Sequence, residues 1–237
     1  MINAIARTGF ARRVLIVDEH PIVRLGLRRV IEREQDLTVC GEAENAGDTR
    51  TAIAELHPDL LICEISLKQS DGIELVRHVR AHHPQLPILV LSTLDEAVYA
   101  ERMLSVGANG YITKEAPSEQ FLLSLRRVLN GDIYVSEAVG HSMIRKFAAG
   151  ESYLAADPIE RLSNRELQVL LMIGKGMSTR ESAHALHLSV KTVESHRQRI
   201  KRKLNLRTGL QLVHYALQAA NPSPQPLSGE TPVKLAP

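Results

Sequence analysis

Residues 57–79 read HPDLLICEISLKQSDGIELVRHV, and this stretch decides the fold. Leu60-Leu61-Ile62-Cys63 is an apolar run with no polar break, the pattern of a strand buried on both faces. It stops at Glu64. A polar loop follows, and Ile73, Leu75, Val76 and Val79 then return at helical spacing. Strand, polar turn and amphipathic helix in that order form one unit of a βα repeat.

Working outward, the unit recurs. Val14-Leu15-Ile16-Val17 ends in Asp18-Glu19, Ile88-Leu89-Val90-Leu91 ends in Ser92-Thr93, and Gly110-Tyr111-Ile112-Thr113 ends in Lys114. Strands are expected near 13–17, 37–43, 59–63, 87–91 and 110–112. Helices are expected near 21–34, 47–57, 72–83, 96–106 and 117–130. Five such repeats imply right-handed crossovers and an α/β fold, a parallel sheet covered on both faces. Ligands of such sheets sit outside the carboxyl ends of the strands, where the polar residues above fall. No GxGxxG or GxxxxGK[ST] occurs, which disfavours dinucleotide and nucleoside triphosphate sites.

Residue types at those ends suit phosphoryl transfer to a protein carboxylate. That reaction needs an in-line nucleophile, a divalent cation, a fixed positive charge and a hydroxyl that follows the phosphoryl oxygens. Asp18 and Glu19 could hold a Mg²⁺ ion, Lys114 could pair with the phosphoryl group, and Ser92 could donate to it. Singly each has a plainer reading, a helix cap or a solvated charge. Their joint placement at four strand ends favours the pocket.

The matching stretches VLIVDEHPIVRLGL, HPDLLICEISLKQSDGIELVRHV, PILVLST and SVGANGYITKEA resemble the receiver domain of bacterial two-component response regulators over about residues 12–130. The resemblance implies a doubly wound sheet of five strands in the order 2-1-3-4-5. It also implies position 64 as phosphoacceptor, Ser92 as switch hydroxyl, Tyr111 as switch aromatic and Lys114 as the phosphate-pairing lysine. Three positions depart from the family. The acceptor is Glu64 rather than aspartate. The second acid is Glu19 where the family usually has a metal-binding aspartate. The following loop, Ser66-Leu67-Lys68-Gln69-Ser70, lacks the common Met-Pro-Gly turn.

The extra methylene carries the Glu64 carboxylate roughly 1–1.5 Å into the pocket, a misplacement that can cost about 10²-fold in an alignment-dependent reaction. Glu64 is therefore expected to accept phosphate poorly. It is expected instead to set a negative charge partly where a phosphoryl group would sit. Its charge of −1 and two oxygens compare with about −2 and three for the phosphoryl group. Crowding of Asp18, Glu19 and Glu64 penalises their charges unless cations offset them. Lys114 supplies one positive charge and Lys68 is a candidate for a second, so bound Mg²⁺ is doubtful. The expectation is a receiver that works without phosphorylation. The alternatives are a phosphate-responsive receiver despite Glu64, and an inert module for dimerisation or protein interaction.

The 237 residues suffice for two domains, and 44% hydrophobic with 24% charged residues is a globular balance. Aromatic residues are scarce at 3%, with no Trp, which argues against stacking platforms. The two cysteines, Cys40 and Cys63, lie in apolar runs and read as buried reduced thiols. No segment approaches the roughly 18 apolar residues of a membrane helix. The start, MINAIARTGFARR, has no continuous apolar core of a signal peptide. A cytoplasmic protein without membrane contact is expected.

Net charge is only +2, but residues 161–207 hold 11 Lys/Arg against 3 Asp/Glu, while the remainder holds 18 against 24. An acidic body joined to a basic module points to nucleic-acid contact by the latter. Ser163 with Glu166 forms a capping box, and Leu167, Leu170, Leu171 and Ile173 give the helix it opens an apolar face. Gly174 and Gly176 stop that helix. A short helix from about Thr179 to Leu186, a tight turn through Ser189 and a helix from about Val190 to Leu204 complete a helix-turn-helix pattern. Val193, Ile200 and Leu204 are expected to face inward, with Lys191, Arg197, Arg199, Lys201, Arg202 and Lys203 on the other faces.

The string LSVKTVESHRQRIKRKLNL, within residues 160–217, closely resembles the LuxR-type helix-turn-helix of NarL/FixJ response regulators. The resemblance implies an all-α four-helix domain. It places Glu194, Ser195 and Gln198 towards base edges, and Lys191, Thr192, His196, Arg197, Lys201 and Arg202 towards the phosphate backbone. Gln198 suits adenine and Glu194 suits the cytosine amine. The expected organisation is a receiver at 12–130, a linker at 131–160 with a candidate short helix near 138–148, the DNA-binding domain at 161–219 and a proline-rich disordered tail at 220–237. Double-stranded DNA, a homodimeric partner and a histidine kinase are the partners implied. No nucleophile–base pair or cofactor loop suggests an enzyme.

Overall fold

The structure is a computed structural model that describes residues 11–67, 70–148 and 158–220. Expectations for Lys68 as a second cation and for a disordered tail fall on residues outside those described. The chain divides into two compact units, 1–156 and 157–237.

In the first unit five strands form one parallel sheet: β1 (Arg12–Val17), β2 (Leu37–Ala43), β3 (Leu60–Cys63), β4 (Ile88–Ser92) and β5 (Gly110–Thr113). Their order is β2-β1-β3-β4-β5. The helices between and after them are α1 (Pro21–Ile31), α2 (Ala46–Leu56), α3 (Gly72–His82), α4 (Glu96–Ser105) and α5 (Ser118–Leu129). Every residue of β3 is buried, as its unbroken apolar run requires. Val14, Ile16, Leu60, Ile62, Leu89 and Leu91 share one core with Ile31 of α1 and with Phe121, Leu125 and Val128 of α5. The alternate residues Leu15, Val17, Leu61, Ile88 and Val90 are equally buried on the opposite face. The sequence periodicity thus falls on a doubly wound sheet.

One feature was not visible in the pattern. Ser66–Leu67 and Ser70–Asp71 form a two-residue antiparallel hairpin after β3, in place of a plain loop. A further helix, α6 (Glu137–Ala148), lies within the first unit and packs along α4.

The second unit is all helical: a 3₁₀ turn at Pro158–Arg161, then α7 (Asn164–Gly174), α8 (Thr179–Ala185), α9 (Val190–Lys203) and α10 (Gly209–Ala220). Ser163 and Ser178 open α7 and α8 with complete capping boxes through Glu166 and Glu181, and Ser189 caps α9. Such a cap contributes about 1 kcal/mol. All three helices close the same way. The residue past the cap turns left-handed at Gly176 (φ 79°), His187 (φ 53°) and Asn205 (φ 55°). The next amide in each case reaches back across the last turn: Met177 to the Met172 carbonyl, Leu188 to Ala183, and Leu206 to Lys201. These stops fix the angle between α8 and α9. Val193 and Ile200 of α9 are buried, as are Leu167, Leu170 and Ile173 of α7 and Leu212 and Ala216 of α10; α7 packs on both α9 and α10, and Leu204 is half-buried.

Candidate phosphate pocket and nucleic-acid interface

Asp18, Glu64, Ser92 and Lys114 each follow or end a strand, so the parallel sheet delivers all four to one rim. Asp18 and Glu64 are 2% and 3% exposed, and Ser92 is fully buried. The Glu64 carboxylate is satisfied at both oxygens. Oε1 accepts from the Ser92 hydroxyl at 2.5 Å and from the Ile65 and Ser66 amides at 2.6 and 3.0 Å. Oε2 meets the Lys114 ammonium at 2.7 Å. Lys114 also pairs with Oδ2 of Asp18. Burial opposes the Lys114 charge, but Glu64 and Asp18 outweigh it and hold its pKa above the ordinary lysine range.

Successive amides aimed at one oxygen make an anion cradle. A hydroxyl and an ammonium complete it. Four donors thus converge on the Glu64 side chain, the set that a phosphoryl group on a shorter side chain would require. Ser92 Oγ also accepts from the Leu94 amide at 3.3 Å. The Tyr111 ring is wholly buried, with its hydroxyl donating to the Leu94 carbonyl at 2.8 Å. Burial pushes the Tyr111 phenol upward, keeping it a neutral donor. Ser92 and Tyr111 therefore grip the same turn before α4.

Glu19 stands apart from this cluster. It is half-buried, and its carboxylate lies 3.9 Å from the His20 Nε2. Asp18 Oδ1 is taken by the His20 amide at 2.8 Å and lies 3.1 Å from the His20 Nδ1. A hard divalent cation takes several oxygen ligands. Here both oxygens of Asp18 and both of Glu64 already face hydrogen donors. Among the described residues, no three His, Cys, Asp or Glu side chains are grouped to hold a metal. The side chains as arranged do not fit Mg²⁺, because Lys114 stands between the two buried carboxylates.

Two contributors escaped sequence reasoning. Arg24, 8% exposed, donates from Nη1 to the Asp18 carbonyl at 2.7 Å while its other nitrogens hold Glu42 and Glu44 at 3.0 and 2.8 Å. It ties the turn after β1 to the end of β2. His20 orients Asp18. Neither position carries a signal in one sequence, since an arginine on an amphipathic helix reads as solvated.

On α9, Lys191, Glu194, Ser195, Gln198, Arg199 and Arg202 are exposed, while Thr192, Arg197 and Lys201 are half-buried. Thr192 serves the cap, its hydroxyl 2.8 Å from that of Ser189. Ser195 bonds back to the Lys191 carbonyl at 3.0 Å. His196 is half-buried, with Nδ1 shielded and without a hydrogen-bond partner. Burial, with Arg199 beside it, lowers its pKa below the usual histidine range. The shift favours its neutral form, in contrast to the basic residues around it. Lys203 does not join the basic face. Its ammonium pairs at 2.6 Å with buried Glu166. Burial raises the Glu166 carboxyl, but Lys203 and the Ser163 amide outweigh it and hold it below the usual range. This pair pins the last turn of α9 to the first turn of α7.

Comparison with known proteins finds a family for each unit. Residues 14–126 match the family model "Response regulator receiver domain", and residues 160–216 match "Bacterial regulatory proteins, luxR family". The chain is 34% identical over 211 residues to the Oxygen regulatory protein NreC of Staphylococcus epidermidis, covering 87% of this chain and 97% of that one. Among solved structures, RcsB of Salmonella enterica serovar Typhimurium, bound to promoter rprA in the presence of phosphomimetic BeF3-, is 26% identical with a TM-score of 0.55. That match covers 87% of this chain and 98% of RcsB. A structure of two RcsB dimers bound to two parallel DNAs is 27% identical with a TM-score of 0.53, covering 89% and 100%. The chain thus belongs to the DNA-binding response regulators of the NarL type, which join a receiver domain to a luxR-family helix-turn-helix.

Proposed function

We propose that this regulator controls transcription as a homodimer on DNA, and that Glu64 holds its receiver in the switched-on arrangement without phosphate. One observation carries the second part: the Glu64 carboxylate itself engages Ser92 at 2.5 Å and Lys114 at 2.7 Å. A hydroxyl that would move to meet a phosphoryl oxygen already has an anionic partner. Phosphorylation by a histidine kinase is then unnecessary, and Glu64 is a poor nucleophile because both its oxygens are occupied by donors. The exposed basic face of α9 supports DNA as the partner. The RcsB dimers on DNA support a dimer, and the two-fold symmetry of a dimer calls for paired half-sites. No helix among the described residues is long and apolar enough to cross a membrane.

Glu194, Ser195 and Gln198 are the proposed base readers. Lys191, Thr192, Arg197, Lys201 and Arg202 are the proposed backbone contacts, with His196 a supporting residue behind them. The test is a binding titration of the full chain without phosphodonor, on a duplex selected by the protein from a random library. Nanomolar, sequence-selective binding is expected, unchanged after acetyl phosphate and Mg²⁺. Arg197→Ala should weaken specific and random duplexes alike and reduce the salt slope by about one. Gln198→Ala should relax preference at one base position, a loss of about 1–3 kcal/mol for that base. Weak, unselective binding, or a stable acyl phosphate at Glu64, would contradict the proposal and favour a phosphate-responsive or interaction-only receiver.

A further inference from the structure

Residues 131–148, which follow the last helix of the sheet, are built into the receiver. Tyr134 bridges in parallel to Gly110 on the outer edge of β5. The Tyr111 amide donates to the Tyr134 carbonyl at 2.8 Å, and the Tyr134 amide donates to Asn109 at 3.0 Å. Ser136 then caps α6, its hydroxyl accepting from the Val139 amide at 3.3 Å. In a capping box the third helical residue is Glu or Gln and reaches back to the amide of the cap. Here that residue is Val139. The missing carboxylate comes from another helix: Glu96, the first residue of α4, accepts from the Ser136 amide at 2.7 Å. At the far end Lys146 pairs with Glu101 of α4 at 2.5 Å. An isolated helix of about 12 residues is marginal in water. The order of α6 therefore depends on α4, which begins two residues after the turn gripped by Ser92 and Tyr111.

We propose that α6 is a latch, closed by Glu96 and Glu101, that sets the length of chain between receiver and DNA-binding unit. With α6 docked, nine residues, 149–157, separate it from the 3₁₀ turn at Pro158. With α6 released, the chain before that turn lengthens by residues 137–148 to twenty-one residues, 137–157. Once a tether spans the two sites, effective concentration for the second, linked binding event falls as about the −3/2 power of its length. In the proposed latch the docked tether spans them, so that release lowers it about three- to fourfold. The latch therefore favours simultaneous occupation of two half-sites by a dimer. Glu96 acts here as a positioning residue, touching neither DNA nor the pocket. This inference rests on the dimeric DNA-binding reading above, and adds the linkage geometry to it.

The test compares full-length wild type, Glu96→Ala, Glu101→Lys and the exchange Glu101→Lys/Lys146→Glu. Two probes are used: the selected duplex, and the same duplex with one half-site scrambled. Each single variant should bind the paired site about three- to fourfold more weakly and the single site unchanged. The exchange should return to wild-type affinity. Amide exchange over residues 137–148 should quicken in Glu96→Ala. Equal losses on both probes, or unchanged binding with unprotected α6, would overturn the latch. Glu64→Ala serves as the separate control. If it leaves paired-site binding intact while the latch variants weaken it, the phosphate-mimic reading fails and the latch stands.

Discussion

Glu64→Ala is expected to weaken paired-half-site DNA binding by about tenfold and to shift the protein towards monomer. Coupling between a regulatory and a binding site is typically about 1–3 kcal/mol, or 5–150-fold. The side chain supplies the negative charge that Ser92, Ile65, Ser66 and Lys114 all address. Without it Ser92 loses its carboxylate partner, so the hydroxyl that accepts from the Leu94 amide is no longer fixed from the pocket side. Lys114 keeps Asp18, so the fold is expected to persist. Glu64→Asp retracts the carboxylate by one methylene. It should bind DNA as weakly as the alanine variant until acetyl phosphate and Mg²⁺ are added, and then recover. Glu64→Gln separates charge from shape, because it keeps an acceptor oxygen for Ser92 but loses the ion pair. An intermediate affinity is expected. Affinity and sedimentation measured for the four proteins decide the matter: indistinguishable behaviour would mean that the pocket has no influence on output.

The strand-end chemistry was legible because parallel sheets put every strand's carboxyl end on one rim. Once the four apolar runs were recognised, Asp18, Glu64, Ser92 and Lys114 had to meet. Glu19 shows the limit of that logic. Adjacent residues on a strand-to-helix turn point different ways, and only Asp18 turns inward. The cradle amides of Ile65 and Ser66 were invisible because backbone groups carry no sequence identity. The short helix near 138–148 was legible, but not its closing carboxylate, which stands forty residues upstream in Glu96. In the helical unit the α7 cap was readable from the spacing of Ser163 and Glu166, whereas the matching box at Ser178 and Glu181 emerged only in the structure. The left-handed stops at His187 and Asn205 carry no glycine to announce them. Lys203 looked like one more basic residue on α9 until packing brought buried Glu166 beside it.

Lys114→Met should be the most destabilising single change in the receiver. Methionine matches the volume of the lysine stem but removes the charge that joins Asp18 to Glu64. Both carboxylates are nearly fully buried. Breaking a buried pair by removing one partner costs about 3–5 kcal/mol, because the remaining charge is left uncompensated. Here two like charges remain. In the wild type, the lysine pKa is raised in the fold. Its stabilisation is therefore fully present below the unfolded lysine range and is lost only as pH rises through the folded value. At pH 7.5 the wild type is thus insensitive to small pH changes on this account. The variant should behave oppositely: lowering the pH protonates one carboxyl, relieves the repulsion and recovers stability. Urea titrations followed by amide exchange over β1, β3 and β5 would resolve the receiver from the helical unit. The expected pattern is a loss of several kcal/mol at pH 7.5 that shrinks towards pH 5, and a partial recovery at pH 7.5 in Lys114→Met/Glu64→Gln. A variant within about 1 kcal/mol of wild type at both pH values would show that water or neighbouring groups neutralise the carboxylates. Lys114 would then not be the substitute for a cation that its position between Asp18 and Glu64 implies.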